Sequence, residues 1–109
     1  MTTRDEATYL GKLERMGCVV CRLFCEAAGI DYDPPPAGSQ QTVIHHPRNG
    51  LGGAQKASHW VAVPLCVADH TGPAGVHGSR LRLKQLKILN ELDLVAETNR
   101  IFHQTYRTY

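Results

Sequence analysis

Large aromatic side chains are scarce: Phe, Trp and Tyr make up only 6% of this 109-residue chain. A domain of that size with little aromatic volume to bury commonly draws on a staple such as a disulfide or a metal. Charge excess is lacking as well, because 12 Lys/Arg against 10 Asp/Glu leave a formal net charge of +2. That excludes the densely basic class of phosphate binder and permits a nucleic-acid partner without arguing for one. No apolar run reaches the roughly 18 residues of a membrane span, and no charged n-region with an apolar h-region opens the chain, so neither a membrane segment nor a secretory signal is expected. No internal repeat is visible. The length makes one domain the default, spanning residues 1–109.

What is present is cysteine and histidine. The four cysteines, with no secretory signal, point to a reducing, cytoplasmic setting, where paired cysteines hold metal more often than they form disulfides. Cys18 and Cys21 form a C-x2-C pair, and Cys66 is followed by Asp69 and His70. Zinc takes about four ligands in a tetrahedron, and two short-spaced pairs brought together by the fold supply them. The second pair reads either as Cys66 with Asp69 or as Cys66 with His70, since carboxylate and imidazole are both acceptable donors. A redox role for Cys18 and Cys21 requires a βαβ setting that nothing here provides. Cys25, one helical turn beyond Cys21, reads as a small buried hydrophobe. Of the six histidines, His45, His46, His59, His70 and His77 fall between positions 45 and 77. Imidazole is both the commonest metal ligand and the side chain whose ordinary pKa suits proton transfer near neutrality.

The periodicities order the elements as helix, knuckle, strand, long loop, strand, helix, helix. Ala7, Tyr9, Leu10, Leu13 and Met16 fall at mostly helical spacing, with Thr2 or Thr3 as a cap and Gly17 as the stop. "CVVCRLFC" reads as a knuckle entering a short helix that Gly29 closes. "GIDYDPPPAGSQQ" reads as a loop. "QTVIHH" and "HWVAVPL" read as two strands of a hairpin, joined by a breaker-rich loop, with Trp60 in the core. "CVADH" starts a helical turn that "TGPAGVHGS" breaks. Leu81, Leu83, Leu86, Ile88, Leu89 and Leu92 then form one helical stretch, and Asp93 caps a last helix carrying Leu94, Val95, Ile101 and Phe102. The class is α+β, with nearly every metal-capable residue at its two-strand-plus-helix centre.

The ordered combination of C-x2-C, "IHH" on a strand, "ASHWVAVPLC" leading into "ADH", and "GVHG" resembles the HNH (ββα-metal, or His-Me finger) nucleases. Among them it looks most like the small phage group of RecA-dependent recombination-enhancement nucleases. The likeness covers roughly residues 18 to 77. It implies a zinc-stabilised ββα-metal core at about 18–80, with an N-terminal helix and a C-terminal helical part at 80–107. The activity it implies is metal-dependent hydrolysis of DNA phosphodiester bonds.

Position by position, the resemblance makes His46 the general base and places His45, His70 and His77 on a catalytic ion, Mg2+ or another divalent metal. Cys18, Cys21, Cys66 and Asp69 become the structural zinc ligands, and His59 a residue that holds the loop so that the base is oriented. Asp69 departs from the family, where cysteine or histidine is more usual, so His70 could be recruited to the zinc instead. Asn49, early in the loop, is a weaker match than His59 to the motif's middle residue. Arg48, Lys56 and Arg80 are the candidate DNA contacts, with Arg82, Lys84 and Lys87 also flanking the site; Gly50, Gly52 and Gly53 would allow close backbone approach to DNA. A RecA filament is the implied partner, and a phage or prophage protein in a bacterial host the implied origin. The alternative reading is a non-catalytic, zinc-stapled nucleic-acid-binding module in which the histidines are structural.

Overall fold

Helix α1, Arg4–Met16, begins where Thr3 and Glu6 cap each other: the Thr3 hydroxyl accepts from the Glu6 N–H and the Glu6 carboxylate from the Thr3 N–H, both at 3.1 Å. Gly17 ends it with φ at +81°, and a Cβ at that position would run into the Tyr32 ring. The chain then turns directly into α2, Val19–Ala28, whose N-cap is Cys18 and whose left-handed C-cap is Gly29. A computed structural model describes residues 3–36, 39, 41–47, 61–88 and 90–106.

Strands β1, Thr42–His45, and β2, Val63–Cys66, pair antiparallel, with Thr42 opposite Cys66 and His45 opposite Val63. β2 is the inner strand: Val63, Pro64 and Leu65 are all buried. Helix α3, Val67–Thr71, follows β2 without a loop, and α4, Leu81–Gln85, and α5, Glu91–Thr105, complete the described elements. Helices α1, α2 and α5 pack on the hairpin and close over Leu13, Met16, Val19, Val20, Leu65, Leu94 and Ile101. Burying an aliphatic side chain of this kind is worth roughly 1.5–3 kcal/mol. The Arg100 guanidinium reaches Glu26 at 2.9 Å and ties α5 to α2. The Tyr106 hydroxyl donates to the Lys12 carbonyl at 2.9 Å and ties the end of α5 to α1.

The α+β class and the element order agree with the sequence reading, and three boundaries differ. β2 begins at Val63 and runs on to Cys66, so Cys66, expected from sequence as a zinc ligand, ends a strand and serves as the N-cap of α3. The Leu/Ile stretch from 81 to 92 is not one helix. α4 stops at Gln85, and Lys87 takes φ +63°, because this lets the Ile88 N–H reach back to the Leu83 carbonyl at 2.9 Å and buries Ile88 in the core. The cap of the last helix is Asn90 rather than Asp93: its Oδ1 accepts from the N–H groups of Leu92 (2.7 Å) and Asp93 (3.2 Å). Asn is as strong an N-cap as Asp, and the earlier start leaves Glu91 and Asp93 in the first turn, where negative charge suits the helix dipole. The expected core position of Trp60, and Leu89, lie outside the described residues.

The turn between α3 and α4 positions the chemistry. Val76 N–H bonds the Asp69 carbonyl at 2.8 Å and His77 N–H bonds the His70 carbonyl at 3.1 Å, so the segment folds straight back onto α3. A Cβ at Gly75 would come within 2.6 Å of the Asp69 carbonyl oxygen and 2.7 Å of that of Ala68. Those atoms are backbone and cannot swing aside. Replacing Gly75 by Ala is therefore expected to destabilise the protein by about 1–3 kcal/mol, the usual cost of overpacking. Urea unfolding monitored by circular dichroism measures this, and an unchanged midpoint would contradict the close-approach account.

Candidate functional site

Two side-chain clusters lie back to back at the end of the hairpin, and α3 contributes to both. In the first, Cys18, Cys21, Cys66 and Asp69 converge. α2 supplies the first pair by local geometry: as N-cap, the Cys18 sulfur accepts from the Cys21 N–H at 3.4 Å, and the Cys18 N–H is held by the Tyr32 hydroxyl at 2.9 Å. The junction of β2 and α3 supplies Cys66 and, one turn on, Asp69. The thiols of Cys18, Cys66 and Cys21 all reach Oδ2 of Asp69, at 3.1, 3.2 and 3.3 Å, and the sulfurs of Cys21 and Cys66 are 3.9 Å apart. A tetrahedral ion with bonds of about 2.3 Å to sulfur and 2.0–2.2 Å to oxygen has ligand–ligand edges of roughly 3.5–3.8 Å. The sulfur–oxygen separations are hydrogen-bond distances, shorter than such edges, and all four ligand atoms lie within 4.8 Å of one another, so the four residues could hold one metal ion.

The second oxygen of Asp69 points the other way. Oδ1 accepts from Nε of Arg82 at 2.6 Å, and Nη2 of the same arginine lies 3.6 Å from the Cys21 sulfur. The guanidinium lies over the Phe24 ring at 4.4 Å from its centroid. Asp69 thus presents one oxygen to the thiols and keeps the other for a cation. Burial pushes its carboxyl up, but the bonds from the three thiols and Arg82 outweigh burial and hold it below the usual carboxylate range. The bond from Cys18 draws Cys21 down to about 7, and the same contact pushes Cys18 up. Burial pushes Cys66 up to about 11. A bound metal would displace the remaining protons.

The second cluster is His45, His70 and His77. Each comes from a different piece of backbone: the end of β1, α3, and the turn that folds onto α3. Their ring centroids are 5.2 Å (His45–His70), 5.1 Å (His45–His77) and 4.7 Å (His70–His77) apart, and Nε2 of His70 and of His77 are 3.1 Å apart. The candidate ligand atoms of each cluster lie within 4.8 Å of one another. His45 is buried, His70 half-buried and His77 exposed, so the cluster runs from the core to solvent. Burial lowers the pKa of His45 more than neighbouring Glu91 raises it, and His70 is lowered by burial and by the other two imidazoles. Both therefore favour the neutral form that binds metal.

His70 belongs to the histidine cluster and Asp69 to the cysteine cluster, so the alternative of His70 as fourth ligand to the sulfur site does not correspond to the geometry. His46 follows the last residue of β1 and is half-buried. Arg80 does not extend freely: its Nε donates to the Val76 carbonyl at 3.0 Å and its Nη2 reaches Glu91 at 3.3 Å. His59, Arg48, Lys56, Asn49, Gly50, Gly52 and Gly53 lie outside the described residues. Cys25 stands apart from the four-ligand cluster and is half-buried. The structure adds two participants, Arg82 as partner of Asp69 and Glu91 as partner of His45. From the sequence, Arg82 reads only as a flanking cation. Neither carries a local spacing signal, because the pairs are separated by 13 and 46 residues.

Among the described residues, no helix is long and apolar enough to cross a membrane.

Two substitutions separate the clusters. Arg82→Met removes the cation behind Asp69 and is expected to weaken metal retention at the cysteine site about 10–100-fold, the usual cost of losing an outer partner of a ligand. His70→Ala is expected to leave that retention unchanged. Competition with a chromophoric chelator reads both, and loss of the cysteine-site metal in His70→Ala would refute the division of ligands.

Compared with known proteins, the chain matches no family model, no curated protein and no solved structure.

Proposed function

We propose that this protein is a metal-dependent DNA endonuclease of the HNH (ββα-metal) type, in which a structural zinc site supports a neighbouring histidine site. The observation that carries the reading is the convergence of His45, His70 and His77 beside a separate four-ligand cluster, with His46 directly after His45. Three cysteines and a carboxylate with no open position suit a closed, structural zinc site. Three imidazoles with one member exposed suit an open site, with room for water and substrate. An all-nitrogen donor set favours Zn2+, Ni2+ or a similar transition ion over Mg2+, which prefers oxygen. When bound, such an ion neutralises charge on the scissile phosphate and on the departing oxygen.

The protein's own residues then divide the work. His45, at the end of a strand whose neighbouring residues alternate in direction, turns inward; His46 follows it and accepts the proton of the attacking water. Water adds to phosphorus, the P–O3′ bond breaks, and the ends are a 5′-phosphate and a 3′-hydroxyl. Arg80 and Arg82 are held by carboxylates within the site. Phosphate contact therefore falls chiefly to exposed lysines such as Lys84 and Lys87, with Arg48 and Lys56 as further candidates from the sequence. The modest charge of +2 accords with a partner that presents the DNA, a RecA filament in the reading taken here, and with action in the cytoplasm of a phage-infected or prophage-bearing bacterium.

His46→Ala is expected to lower plasmid cleavage by roughly 10²–10⁴-fold, the range of a lost general base, while fold and metal content stay as in the parent. Cleavage assays across Mg2+, Mn2+, Ni2+ and Zn2+, with and without RecA-coated single strands, measure this. Undiminished cleavage by the variant would sink the mechanism. Absence of cleavage by the parent under every ion would leave the non-catalytic zinc-stapled binding module.

A further inference from the structure

Glu91 is one of the few buried charged residues, and α5 places it at the helix start against the histidine cluster. Its Oε1 lies 2.9 Å from Nε2 of His45 and 3.3 Å from Nη2 of Arg80. Arg80 is itself constrained. Its backbone takes the left-handed conformation at φ +60°, its N–H bonds the Gly75 carbonyl at 3.1 Å, and its Nε donates to the Val76 carbonyl at 3.0 Å. A non-glycine residue in that region persists only where the surroundings determine it, and such positions cluster at functional sites. Here the conformation delivers a guanidinium to a buried carboxylate that already holds an imidazole.

The chemistry of that contact has one consequence. A carboxylate can only accept hydrogen bonds, so the nitrogen of a neutral His45 facing Glu91 must carry the proton. With the proton on Nε2, the lone pair is on Nδ1. His70 and His77 instead bring their Nε2 atoms together. We infer that Glu91, steadied by Arg80, is a positioning residue that holds His45 as the Nε2-protonated tautomer, so that Nδ1 is the atom it offers to an ion shared with His70 and His77. This inference rests on the reading of the histidine cluster as an ion site. It assigns Glu91 to orienting a ligand and to none of the bond-making steps, which is the general role of a carboxylate behind a metal-bound histidine. It also gives Arg80 an inward role in place of a first-line phosphate contact.

The tautomer is read directly from the 15N chemical shifts of the His45 ring, in metal-free protein at a pH above the imidazole range. The parent is expected to show Nε2–H alone. Glu91→Gln keeps an acceptor oxygen and should preserve that tautomer, whereas Glu91→Ala should give a mixture. With the cysteine site preloaded with Zn2+, Co2+ titration followed by its absorption bands should show binding about 10–100-fold weaker in Glu91→Ala than in the parent. Glu91→Gln should fall between the two. An Nδ1–H tautomer in the parent, or Co2+ binding in Glu91→Ala as tight as the parent's, overturns the assignment. The parent's ring shifts decide the tautomer even where Glu91→Ala does not fold. A parent with the expected tautomer that binds no Co2+ at the histidines would overturn the ion-site reading, and with it the delivery of Nδ1 to an ion, while leaving the Glu91–His45 orientation standing.

Discussion

The carboxylate of Asp69 is the contact on which the rest of the site depends. One oxygen gathers three thiols from two distant parts of the chain, and the other holds Arg82 on α4. A carboxylate that is only 2% exposed is costly unless its partners compensate, and here every partner is a hydrogen-bond donor. Because Asp69 is turned toward the sulfurs, its neighbour His70 is turned away from them, and that single helical step divides one stretch of α3 between two clusters. A cysteine at position 69 would have given the sulfur cluster a fourth thiol but no second oxygen for Arg82, and so no link to α4.

The two clusters share a design. Each involves a carboxylate, Asp69 within the first and Glu91 beside the second, and each carboxylate is met by an arginine from the same short segment, Arg82 and Arg80 respectively. The arginines offset the negative charge that would otherwise accumulate next to the core. Both carboxylates are buried, one as a candidate ligand and the other beside a candidate ligand. The segment from Gly72 to Leu83 is thus more than a connection between helices. Its fold-back on α3 brings His77 to His70, and its end supplies both counter-charges.

Metal staples and small aliphatic cores are complementary solutions to the same shortage. The described core is built mainly of Leu, Val, Ile and Met, with Tyr9, Phe24, Phe102 and Tyr106 only partly buried at its edge. Such a core closes the three larger helices over the hairpin, and the junction of α2, β2 and α3 adds polar donors at its edge. The thiol and carboxylate donors occupy that junction, where an ion would supply the cross-link that side-chain volume does not.

How much of this was legible in advance follows from the range of the forces involved. Helix starts, glycine stops, the two strands and the C-x2-C turn are dictated by residues within about four positions of one another, and they were readable. Asn90 and Asp93 are both good caps three residues apart, so local signals do not choose between them. The break after α4 is not legible locally because a leucine-rich run looks helical throughout, whereas in the fold Lys87 adopts positive φ and Ile88 reaches the core. The sequence by itself determined the α+β class, the order of elements and the inventory of sulfur and imidazole donors. Tertiary structure decided between Asp69 and His70 as the fourth member of the cysteine cluster, in favour of the set the resemblance implies, and it alone decided that Glu91 and Arg82 stand beside the two clusters. The reason is physical: donor chemistry is a property of single residues, but which donors meet is set by the register of two strands and one tight turn.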